Sequence, residues 1–133
     1  MEPRIQIALV INSDFLHPDK ISELIGLIPT EMYLKGELIV GTIRPRDVNS
    51  WCYSLNGIVD HYDLGEALTK LIEKLAPKAE QINSVCKSND LEAIFSCGID
   101  VVDESPSIYI PPEIVFEISR FGASLDIDII LSE

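Results

Sequence analysis

Between Leu64 and Leu75 the residues Leu64, Ala67, Leu68, Leu71, Ile72 and Leu75 recur at the spacing of one helical face. A stripe that wide cannot stay in water, so the chain must supply a second layer to cover it. Asp63 stands at the N-cap position with Glu66 three residues on, a capping-box arrangement with Asp in place of Ser or Thr. Each leucine fully buried from this face stabilises the fold by about 1.5–3 kcal/mol. Pro77 then kinks the helix or opens a second short one, which buries Ile82, Val85 and Cys86.

The covering layer is written as strands. In Arg4 to Asn12 the residues Ile5, Ile7, Leu9 and Ile11 point to one face, while Ala8 and Val10 make the other face apolar later. A strand apolar on both sides belongs near the middle of a sheet. Met32 to Val40 reads as a second strand, broken at Gly36, and Thr42 to Asn49 as a loop. Trp51 to Leu55 is a third strand, with Trp51, Tyr53 and Leu55 on one face. Leu91 to Val102 is a fourth, with Gly98 at a bulge, and Ser107 to Ile110 a short fifth. Ser124 to Leu131 is the last, with Leu125, Ile127, Ile129 and Leu131 facing inward.

Two further helices are framed by proline and glycine. Pro18 opens the first and Gly26 stops it, with Ile21, Leu24 and Ile25 as its core stripe. Pro111 and Pro112 open the other and Gly122 closes it, with Ile114, Val115, Ile118 and Phe121 inward. The order is therefore β-α-β-β-α-β-β-α-β. Its first six elements match the ferredoxin-like order. The expected fold is α+β: a ferredoxin-like two-layer sandwich, with helices on one face of a largely antiparallel sheet, extended by a C-terminal β-α-β unit. The 133 residues suit one domain spanning 1–133, and 47% hydrophobic content supplies a core without metal or disulfide support.

Charge restricts the partners. Ten Lys and Arg against 22 Asp and Glu give −12, a field that repels phosphate backbones and anionic membranes. Neither nucleic acid nor membrane is expected as a partner; the charge favours a basic protein partner or simply keeps the protein soluble. Cys52, Cys86 and Cys97 are odd in number and widely spaced, with no C-x-x-C pair, and fit reduced buried thiols in a cytoplasmic protein. The run Ile5 to Ile11 is too short to span a bilayer, and Met1-Glu2-Pro3-Arg4 has no basic signal-peptide region.

Motifs that carry chemistry are scarce. No G-x-S-x-G, H-E-x-x-H or phosphate-loop pattern occurs, and no catalytic residue, cofactor or metal site is assigned. Asp126 and Asp128 point the same way from the last strand, as a cation pair or as a solvated strand face. His61, in Asp60-His61-Tyr62-Asp63, is either an acid–base group between carboxylates or part of a turn into the helix cap. His17 precedes a helix-opening proline. Tyr33, Lys35, Trp51 and Tyr53 make either an aromatic and basic binding face or, for Trp51 and Tyr53, core. Arg44-Pro45-Arg46 is the one basic spot, suited to an anion or an acidic peptide, or simply an exposed loop. The candidate binding face is Tyr33, Lys35, Trp51, Asp126 and Asp128.

The stretch Pro29-Thr30-Glu31-Met32-Tyr33-Leu34-Lys35-Gly36-Glu37, Trp51 after the loop, the Pro18-Asp19-Lys20-Ile21 helix start and Phe121-Gly122-Ala123-Ser124-Leu125-Asp126-Ile127-Asp128-Ile129 carry a resemblance over nearly the whole chain. Together they resemble the bacterial domain-of-unknown-function family 4279. The resemblance implies a small stand-alone bacterial cytoplasmic domain and brings no catalytic residues. In size and acidity the chain is similar to immunity proteins of bacterial toxin systems, an analogy only. The expected function is a non-enzymatic protein-binding domain, immunity-like in one form. The alternatives are a homodimeric small-molecule sensor and a hydrolase built on the His61 cluster.

Overall fold

The structure, a computed structural model, describes residues 4–55, 63–101 and 108–131. Along the chain these form β1 (Arg4–Ser13), α1 (Pro18–Ile25), β2 (Glu31–Tyr33), β3 (Asn49–Leu55), α2 (Leu64–Leu75), a 3-10 turn (Ala76–Lys78), α3 (Ala79–Ser88), β4 (Glu92–Val101), α4 (Pro112–Arg120) and β5 (Ser124–Leu131). The strands make one five-stranded sheet in the order β2-β3-β1-β4-β5. The fold is mixed α+β. β1 runs antiparallel to both β3 and β4, β2 antiparallel to β3, and β5 parallel to β4. The doubly apolar β1 is the central strand, as its sequence requires.

Register sorts the side chains into two faces. Leu9 lies opposite Tyr53 and Phe95, and Ile11 opposite Trp51 and Ala93. These residues, with Ile5 and Ile7, belong to one core cluster with the apolar stripes of the helices. α2 contributes Leu64, Ala67, Leu68, Leu71, Ile72 and Leu75, all buried, which is the face its spacing predicts. Phe95 from β4 meets Phe121 after α4 edge to face, with ring centres 5.2 Å apart, a favoured aromatic geometry.

Local signals explain the helix ends. Asp63 accepts the Glu66 N–H at 3.0 Å and so caps α2. Pro77 ends α2 through the 3-10 turn, and α3 follows as the second short helix, burying Ala79, Ile82 and Cys86. Gly26 and Gly122 take left-handed φ of +77° and +66° after α1 and α4. After α4 the Gly122 N–H donates to Ser119 O and the Ala123 N–H to Ile118 O, closing the last turn as a Schellman motif.

Several expectations need correction; among them Val115 of α4, expected inward, is exposed. The strand expected over Met32–Val40 is only three residues long. Beyond Tyr33 the chain leaves the sheet, and residues 34–46 fold back on themselves. Within this segment Gly36 N–H donates to Arg46 O, Arg46 N–H to Glu37 O, and Ile39 N–H to Arg44 O. The positive φ of Gly36 and Gly41, +92° and +78°, permits that path, and Leu38 bridges Pro45. The expected loop Thr42–Asn49 is thus largely the returning leg of a hairpin, and β3 starts at Asn49.

Ile108 to Ile110 are not a strand; Ser107 lies outside the described residues. There the backbone passes the start of α2, where a Cβ on Gly65 would meet Tyr109 O at 3.0 Å. Gly98 carries no bulge, since its pairings with Gln6 and Asp128 fall within unbroken registers. Finally, Ile129 and Leu131 are exposed although they share the helix side with Ile99 and Val101. They end a strand at the edge of the sheet, where no further strand among the described residues shields them.

Candidate functional site

The alternate residues of the sheet face away from the helices. Across the sheet this second face carries Glu31, Cys52, Val10, Ile94 and Ser124 in one row. The next rows bring Ser54, Ala8, Ser96 and Asp126 together, then Gln6, Gly98 and Asp128. The middle strands of this face combine the small Ala8, Ser54, Ser96 and Gly98 with the larger Val10, Ile94 and Gln6. Carboxylates concentrate at the β4 and β5 side, from Glu92, Asp100, Asp126 and Asp128, of which Glu92, Asp126 and Asp128 are exposed.

At the opposite edge the row ends in Tyr33, next to Ser50 and Asn12. Ser50 Oγ donates to Asn12 Oδ1 at 2.7 Å, which ties β3 to β1 on this face. Tyr33 donates its hydroxyl proton to Glu31, and this bond, with burial second, holds the phenol above its ordinary range. The Arg46 guanidinium sits 3.7 Å from the Tyr33 ring centre, a cation–π contact. Lys35 Nζ lies 6.0 Å from the centre of the Phe15 ring, and the Lys35 N–H donates to Asn49 Oδ1 at 2.8 Å.

Residues 34–46 project from this edge as an arm. Its apolar residues are bare: Val40 is 89% and Ile43 92% exposed, and Leu38 is exposed as well. Phe15, 94% exposed, stands beside it through the Lys35 contact. Lys35, Arg44 and Arg46 against Glu37 give the arm +2, so the remainder of the −12 chain carries −14. Among the described residues neither Lys35 nor Arg44 forms an ion pair. An apolar, basic projection on an acidic body is a surface with unmet interactions.

The structure divides the residues read from the sequence as a binding face. Tyr33 and Lys35 stand at the arm. Trp51 is on the other side of the sheet, 0% exposed, under α1. Asp126 and Asp128 share the uncovered face with Tyr33 but lie at the far edge, four interstrand spacings or roughly 19 Å across the sheet and further rows along it. Among the described residues no three His, Cys, Asp or Glu side chains come together as metal ligands.

His17 Nδ1 accepts the Asp19 N–H at 3.0 Å, so this imidazole caps α1. His61 and its neighbours Asp60 and Tyr62 lie outside the described residues; Asp63 beside them is the α2 cap. The three cysteines are free and buried. Burial pushes Cys52 and Cys86 up to about 11 and Cys97 up to about 12, so their thiols stay protonated and poorly nucleophilic.

Sequence reading missed Leu38, Val40 and Ile43 as surface residues by assigning Leu38 and Val40 to a strand and leaving Ile43 in a loop. The signal was present in Leu38-Ile39-Val40-Gly41-Thr42-Ile43, two short apolar runs around a glycine turn, the mark of a hairpin.

Among the described residues no helix is long and apolar enough to cross a membrane. A family model described as Domain of unknown function (DUF4279) matches residues 3–132. No curated protein and no solved structure matches the chain.

Proposed function

We propose that this chain, which belongs to the DUF4279 family of domains of unknown function, is a non-enzymatic protein-binding domain whose uncovered sheet face receives a basic protein surface. The observation that carries this reading is the asymmetry of the sheet. One face is sealed by helices into the core; the other, among the described residues, carries no helix and is edged by carboxylates, with Ala8, Ser54, Ser96 and Gly98 as small residues near its middle. A sheet face admits a protein surface more readily than a small molecule, which needs a concave site to bury most of its area. Carboxylates at its margin steer and orient a cationic partner.

The order β2-β3-β1-β4 with antiparallel neighbours supports a ferredoxin-like sandwich, to which β5 adds a parallel edge. The three buried thiols support a cytoplasmic setting. An immunity-like role, in which this acidic surface masks a basic toxin, is one form of the proposal.

Affinity capture from the native host tests it, with wild-type bait beside D126K/D128K bait. The expected result is a partner basic at its contact surface, held by wild type and released by moderate salt and by the charge reversal. A partner held equally by both baits overturns the assignment of this face.

A further inference from the structure

We infer that the basic surface this face receives is the arm of a second copy of the chain, in a two-fold dimer. The inference rests on the reading of the uncovered face as a protein-binding surface and names its occupant.

The arm is a built element. Five backbone hydrogen bonds hold it: the three that close the hairpin, Glu37 N–H to Leu34 O at its base, and Thr42 N–H to Ile39 O at its tip. A hairpin of this kind that leaves Val40 and Ile43 almost wholly in water has no intramolecular reason to be apolar. Its complement is present on the same chain. Among the described residues β5 is an edge strand, with Asp126, Asp128 and the exposed Ile130 together on the uncovered face. Cationic and apolar on the arm therefore meet anionic and apolar at β5.

The arm cannot satisfy this match within one molecule. It leaves the sheet at β2, and β5 is the opposite edge, four interstrand spacings away. The contact must be intermolecular. A single arm-to-β5 contact is head to tail and leaves one arm and one edge open on each end. A two-fold arrangement with the uncovered faces turned toward each other closes both contacts at once. Ala8, Ser54, Ser96 and Gly98 in the middle of that face let two sheets approach to the usual packing distance of about 10 Å. Val40 and Ile43 supply the buried area, and Lys35 and Arg44 against Asp126 and Asp128 set the register.

Sedimentation equilibrium on the full chain tests this at physiological ionic strength. Wild type at about 100 µM, well above a micromolar dissociation constant, is expected at twice the 14.8 kDa chain mass. V40D/I43D weakens the dimer by about 100-fold, as loss of a buried anchor pair does. K35E/R44E weakens it by about 10-fold, and adding D126K/D128K to that chain restores it, because the swapped charges again meet across the two-fold. All these positions are exposed, so the variants fold, and circular dichroism checks that. A wild-type chain that stays monomeric, or a dimer indifferent to V40D/I43D, overturns the second copy as occupant. A monomeric wild type that still captures a basic partner through Asp126 and Asp128 separates that failure from failure of the face itself.

Discussion

The indole N–H of Trp51, buried in β3, donates to Ser22 Oγ of α1 at 3.0 Å. This one bond fastens the first helix to the sheet and satisfies the polar atom of the largest core side chain. Trp51→Ala removes a fully buried side chain and costs about 3–5 kcal/mol. Ser22→Ala leaves the indole N–H unsatisfied in the core, at about 1–3 kcal/mol. Urea denaturation of both variants measures the losses. Equal stability of Ser22→Ala and wild type contradicts the bond's role.

Gly122 and Asn83 form a second joint, between α4 and α3. Asn83 Nδ2 donates to Arg120 O at 3.1 Å, and a Cβ on Gly122 would overlap the Asn83 amide. With φ at +66°, Gly122→Ala also carries backbone strain. The expected loss is about 2–4 kcal/mol, combining the conformational penalty with the clash. Asn83→Ala in that background recovers part of the loss by opening space. Thermal melts of the two single variants and the double variant, combined as a cycle, report this coupling.

The cysteines predict a pH dependence. Their folded pKa values, about 11 for Cys52 and Cys86 and about 12 for Cys97, lie above the ordinary 9.0, through burial first and, for Cys97, the charge of Asp126 second. Below pH 9 both folded and unfolded chains hold these protons, and the thiols add no slope. Above it the unfolded chain releases them while the folded chain keeps them, so stability falls as pH rises from about 9 toward 11–12. Urea midpoints near pH 8 and near pH 10 measure the fall, and Cys97→Val makes it shallower. In the native state at about pH 8 the thiols react with iodoacetamide far more slowly than a free cysteine does.

The arm separates stability from recognition. Val40 and Ile43 touch little of their own chain, so V40D/I43D changes unfolding free energy by no more than about 0.5 kcal/mol. Leu68→Ala, from the buried face of α2, costs about 2–5 kcal/mol. Chemical denaturation of the two proteins under conditions where both are monomeric gives the contrast.

Much of the architecture was legible because it rests on local periodicity. The α2 stripe and its Asp63 cap, the proline and glycine limits of α1 and α4, and the central place of β1 are each specified by residues within a few positions of one another. The candidate site was legible only in pieces. Tyr33 and Lys35 lie at the arm, and Asp126 and Asp128 on the same sheet face, but strand order puts the two pairs at opposite edges. Trp51 carries the composition of a binding residue and the position of a core residue, and its register with Ile11 places it in the core. Met32–Val40 reads as a strand broken at Gly36 because an apolar stretch does not reveal whether a neighbour exists to pair with.

By itself the sequence determined the helices, the strands β1, β3, β4 and β5, the buried face of α2, and how acidic the chain is, since these follow from side-chain chemistry and short-range geometry. Among the described residues, tertiary structure alone decided that one sheet face carries no helix, that β5 is an edge, and that the hairpin after β2 leaves its apolar residues exposed. Those properties depend on which strands become neighbours, and pairing between residues dozens of positions apart is settled by the competition of whole layers for burial.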